Sequence, residues 1–181
     1  MAASGRKVPA FLAGIIFTLV VSAMIGLTIM YGGLYNVAAS SGHSPVARWI
    51  LDTTEEHSVA RQAGNMPTPP RFTAAMIRSG GQDFQKTCQT CHGGPGAQPA
   101  PFARTMTPTP PDLDKVAKEL SAKEIFWILQ HGIKMTAMPA FGEVEKDDDL
   151  WNMVAFVKHL PQMTPQQYQA LGRGAPRDQD S

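Results

Sequence analysis

The chain has 181 residues, a formal net charge of +1, and 17% charged against 43% hydrophobic residues. That is room for one or two small domains, and so even a balance, with no basic stretch interleaved with aromatics, excludes a nucleic-acid binder. Its two cysteines, Cys88 and Cys91, exclude both a disulfide framework and a four-cysteine zinc site.

From Val8 to Leu34 no residue carries a formal charge, a run of 27 residues. Crossing a hydrocarbon core of ~30 Å takes roughly 20 helical residues, whereas the apolar core of a secretory signal is only about 7–15 residues long. A retained single transmembrane helix is therefore expected, although Val37-Ala38-Ala39 offers small residues of the kind a signal peptidase cuts after. Arg6 and Lys7 precede the run and the next basic residue is Arg48. The positive-inside rule then places 1–7 in the cytoplasm and the chain beyond Tyr35 across the membrane, with Tyr31 and Tyr35 at the interface.

Ser44-Pro45 pairs an N-cap with proline at the first helical position. A helix is expected from there to about Ala63, where Gly64-Asn65 stops it. Val46, Trp49, Ile50, Thr53, His57 and Ala60 share one face at spacings of three and four. That face is expected to rest on the membrane interface or on the domain that follows; docking to a partner subunit is the other reading. His43 and His57 stand alone and read as solvated or structural. Glycines and prolines cluster at 64–70, 93–101 and 108–111, read as linker and irregular loops. Asn65 to Pro70 should form a semi-rigid extended linker.

Ala74 to Lys86 reads as a helix, and Cys88-Gln89-Thr90-Cys91-His92 follows it. In this pattern two thiols add to the two vinyl groups of one porphyrin, a helical turn places both sulfurs over one ring edge, and the next imidazole points at the iron. A dithiol redox pair has the same C-x-x-C core but follows a strand in a βαβ pattern; here a helix precedes it. One covalent haem c, held by Cys88 and Cys91 and ligated by His92, is expected.

Ala75 to Gly93 resembles the N-terminal part of class I cytochromes c, in which a glycine, three residues, an aromatic and three more residues lead into the haem motif. Gly80, Phe84 and Cys88 stand at those positions. The resemblance covers residues 75–160. It implies an all-α haem fold whose first and last helices cross at this glycine, with Phe156 meeting the Gly80–Phe84 helix. It also implies a proline carbonyl that accepts a hydrogen bond from the ligand imidazole. In Gly93-Gly94-Pro95-Gly96 the nearest match is Pro95, although the longer loop of the mitochondrial pattern is absent.

A low-spin electron carrier needs a second axial ligand, and methionine sulfur raises the potential. Met106, Met135, Met138, Met153 and Met163 all follow His92. Met153 falls in an expected core helix, Met163 follows Pro161, and Met106 lies in a proline-rich loop. The segment Gly132 to Gly142 looks like the methionine-ligand loop of bacterial class I cytochromes, in which the ligand directly precedes proline; this implies Met138, with Met135 and His131 as the alternatives.

Ser121 and Glu124 form a capping box flanked by a Leu120–Ile125 staple, so a helix should run to Gln130 or His131 and stop at Gly132. Its Trp127 either donates an indole N–H to a haem propionate or packs in the core. The last domain helix should run from Asp147 to Leu160, stopped by Pro161. Asp147, Asp148 and Asp149 suit its N-terminus; with Glu143 and Glu145 they also make an acidic patch that a basic redox partner would fit. Thr164-Pro165-Gln166-Gln167 starts a short helix through about Leu171, and Arg173 to Ser181 reads as a disordered tail.

The expected architecture is all-α: a class I cytochrome c haem domain preceded by one N-terminal transmembrane helix. Its divisions are a cytoplasmic stretch 1–7, anchor 8–34, helix and linker 35–71, haem domain 72–161, and short helix with tail 162–181. The resemblance implies an electron carrier rather than an enzyme. Its expected place is the periplasmic face of a bacterial cytoplasmic membrane, between a quinol-oxidising complex or periplasmic dehydrogenase and a terminal oxidase, or as a subunit of such a complex. A gas sensor or peroxidase-like enzyme with an open sixth position is the competing reading.

Overall fold

The computed structural model describes residues 7–172, and among these the secondary structure is helical, with no strand. The flank before residue 7, with Arg6, and the expected tail 173–181 lie outside the described residues. The chain divides between Ser41 and Gly42 into two compact units.

The first unit is built on α1 (Lys7–Tyr31). Its 25 residues extend about 37 Å at the usual helical rise, and none of its apolar stretch is buried in the protein. Thr18 and Thr28 turn their hydroxyls back onto the carbonyls of Gly14 and Met24, at 2.9 and 2.8 Å. Polar atoms so satisfied suit a lipid environment. The helix is long and apolar enough to cross a membrane once. It ends before the charge-free run does, because the chain turns at Gly32–Leu34.

The second unit holds α2 (Pro45–Ala63), α3 (Ala74–Thr87), α4 (Gln89–His92), α5 (Leu113–Glu119), α6 (Ala122–His131), α7 (Asp147–His159) and α8 (Pro165–Gly172). Its centre is the crossing of α3 and α7. Gly80 makes the crossing close: a Cβ there would lie 1.9 Å from the Asn152 carbonyl oxygen of α7. One turn on, Phe84 packs on Phe156 with ring centroids 4.9 Å apart, the meeting the resemblance implied. Leu150, Val154 and Phe156 are fully enclosed, and Trp151 stacks on Phe126 of α6 at 4.1 Å.

The capping signals act as read. Ser121 Oγ accepts from the Glu124 N–H, and Glu124 Oε2 accepts from the Ser121 N–H at 2.7 Å. Thr164 and Gln167 repeat the exchange at the start of α8. Gly132 closes α6 at φ 63°, ψ −171°, a conformation essentially restricted to glycine. α5 was not foreseen, although Asp112 accepts from the Asp114 N–H at its start. Its C-terminal end is held from α7: the Lys158 ammonium donates to the carbonyls of Ala117 and Leu120. Lys158→Met should lower the stability of the holoprotein by about 1–3 kcal/mol, because two carbonyls lose a charged donor. Denaturant unfolding measures this, and an unchanged midpoint would show that water replaces the ammonium freely.

α2 packs on α6, but not by the face read from the spacing. Val59 and Ala63, at its C-terminal end, are the buried residues, while Val46, Trp49 and Ile50 are more than half exposed. Periodicity finds an apolar stripe; which stripe is covered depends on where the partner helix lies. Nor does the proline-rich segment stand clear as a spacer, since Met66 and Phe72 pack against the core.

Candidate haem site

Cys88 ends α3 and begins α4. The N–H groups of Cys91 and His92 both donate to its carbonyl, at 3.1 and 2.9 Å. The two cysteines and the histidine therefore lie on one tight helical turn, the arrangement that attachment to a single porphyrin edge requires.

Burial, with Cys91 and then Asp83 adding to it, pushes the Cys88 thiol up to about 12. A reactive dithiol needs the opposite, a thiolate stabilised near neutral pH. The neutral, sheltered thiol suits a residue that ends as a thioether and does not titrate.

The His92 ring is oriented by Nδ1, which lies 3.0 Å from the carbonyl oxygen of Pro111. A carbonyl can only accept, so the ring proton resides on Nδ1. Nε2 is then left with a free lone pair, the state a metal-binding imidazole needs. The acceptor is thus Pro111, and the expectation that Pro95 fills this role is corrected. The short loop after His92 turns back on itself, Gly94 and Ala97 exchanging backbone hydrogen bonds at 2.8 Å; the carbonyl within reach comes from the residue before the Asp112 cap of α5. The unread helix and the missed acceptor have one origin, because the cap of α5 is what presents Pro111.

A cleft of about 420 Å³ opens beside this turn, lined by Cys91, His92, Pro95, Pro111, Leu160 and Met163 among others. Arg104 also lines it, a cation the sequence reading did not single out. Met163, expected to lie outside the domain, forms part of this wall.

Met138 and Trp127 are not among the lining residues of that cleft. Met138 is half-buried against the core in a loop tied at both ends. Its N–H donates to Thr136 Oγ1 at 3.1 Å, and its carbonyl accepts from the Ile133 N–H at 3.2 Å. Gly132 lets this loop seat closely: a Cβ there would sit 2.7 Å from the Met138 carbonyl oxygen. Met135, by contrast, is 97% exposed at φ 61°. Met153 is buried in α7, as expected for a core residue. Trp127 is half-buried on α6 with its ring 5.1 Å from that of His131, which is itself exposed.

The donor set fits a c-type haem. Two thiols share one turn with an imidazole whose Nε2 is free, Cys91 and His92 of that turn line the cleft, and a half-buried thioether is held in a tied loop elsewhere in the same unit. Residues 75–157 match the family model described as cytochrome c oxidase, cbb3-type, subunit III. No curated protein matches the chain. Cytochromes c bind their haem covalently, and the turn at Cys88–His92 lies inside the matched region. The crossing at Gly80, the attachment turn and the family match agree, and residues 75–157 form a class I c-type cytochrome domain in a chain with an N-terminal apolar helix.

Proposed function

We propose that the protein carries single electrons through one haem c bonded to Cys88 and Cys91, with His92 and Met138 as axial ligands. The observation that carries this reading is the His92 ring, turned by the Pro111 carbonyl so that its free nitrogen faces away from the loop, on the same turn as both thiols. The haem supplies one-electron exchange at iron. The chain's own residues hold the ring, fix the imidazole tautomer and exclude water. Met138, fixed by Thr136 and Ile133, would supply the second protein ligand to the iron and so disfavour chemistry on small ligands. Trp127 is assigned to a propionate through its indole N–H, and Pro95 to the cleft wall. α1 anchors the domain to a bacterial cytoplasmic membrane, with the haem at the periplasmic face. The likeness to a subunit of a cbb3-type oxidase supports delivery of electrons to a terminal oxidase, from a quinol-oxidising complex or a periplasmic dehydrogenase.

The intact protein should weigh one haem more than its amino acids, by mass spectrometry under denaturing conditions. Cys88→Ala/Cys91→Ala should remove that mass altogether. A wild-type chain with no added mass would end the reading.

A further inference from the structure

We infer that α8 is a strap that holds the wall of the haem cleft from behind, and that Tyr168 is the positioning residue through which it acts. The inference rests on the haem attachment proposed above. α8 lies beyond the matched residues 75–157, so nothing in that match accounts for it.

Tyr168 is 2% exposed, and its ring packs edge-on to Phe84 at 6.2 Å and against Phe156 at 6.1 Å. Core packing alone would be satisfied by phenylalanine. The phenol does more: its O–H donates to Gln89 Oε1 at 2.6 Å. Gln89 lies between the two cysteines of the attachment turn. The ring also presses on the turn that follows His92, because a Cβ on Gly94 would lie 2.7 Å from Tyr168 Cζ. Pro165, at the start of α8, lies against Gly96 in the same turn. The helix thus touches the peptide on both sides of His92, and Gly93, Gly94, Pro95 and Ala97 are the cleft wall that it backs.

α8 is itself tied to α3. Gln85 Nε2 donates to the Tyr168 carbonyl at 2.6 Å, and Gln82 Nε2 donates to the Leu171 carbonyl at 3.2 Å. The ties on its backbone and the phenol on its side chain point to one act, which is to keep the attachment turn from opening to water. Water admitted there stabilises the oxidised, more positively charged haem, so the strap raises the reduction potential.

The test uses the full-length holoprotein. Tyr168→Phe keeps the ring and removes the hydroxyl. It should leave haem content and the melting temperature near those of the wild type, lower the midpoint potential, and speed amide exchange at His92 and Gly93 by about fivefold, the size of one hydrogen bond's net contribution. Gln89→Ala should do the same, and the double variant should add nothing further. A wild-type potential in Tyr168→Phe, in a protein whose mass carries the haem, would overturn the strap; so would full additivity of the two changes. A wild-type mass without haem would instead overturn the attachment beneath it, and the strap with it.

Discussion

Gly80→Ala should largely abolish the stable holoprotein. The added methyl would meet the Asn152 carbonyl oxygen at 1.9 Å, its carbon at 2.3 Å and the Met153 nitrogen at 2.7 Å. All three are backbone atoms of α7, so no rotamer change relieves the clash and the two helices must separate. Separation also parts Phe84 from Phe156. Overpacking of this kind costs at least about 3 kcal/mol, or about 10 °C or more in melting temperature for a domain of this size. Thermal unfolding followed by haem absorbance measures it. A variant that accumulates and melts like the wild type would show that α3 and α7 do not meet at this residue.

Met138→Ala should give the second large effect, on the iron rather than on the fold. It replaces a thioether by a methyl group that cannot ligate. The midpoint potential should fall by more than about 100 mV, given the range over which axial ligands set haem potentials. The ferric spectrum should lose its sulfur–iron band, and carbon monoxide should bind the reduced form at once. Met135→Ala is the matched control: its side chain is almost wholly in solvent, so spectrum and potential should stay put. If the two variants exchanged behaviours, the ligand assignment would move to Met135. If neither bound carbon monoxide faster than the wild type, no methionine of this loop would be the ligand, and if the wild type itself bound it rapidly, the sensor or peroxidase reading would gain.

What the sequence disclosed follows from how local the responsible physics is. α2 begins at Pro45 behind Ser44 and ends at Ala63 before Gly64, as read, because caps act over three or four residues. α6 and α8 were legible for the same reason. The haem turn was legible because its chemistry imposes a spacing of three. Less local features escaped. The covered face of α2 depends on the place of α6. The Pro111 carbonyl reaches His92 across 19 positions of chain, and the phenol of Tyr168 reaches Gln89 across 79. Asp112 before Leu113 was the available signal for α5; a run of prolines just upstream masked it.

The crossing of α3 and α7 also sets an order of events during biosynthesis. Phe84 is synthesised long before Phe156, and until α7 follows, its partner ring is missing from the helix that leads into the cysteines. Contacts between chain segments this far apart form late. The two sulfhydryls are therefore more open to reaction in the unfinished chain than in the completed fold, and the last third of the domain shuts that window when it arrives.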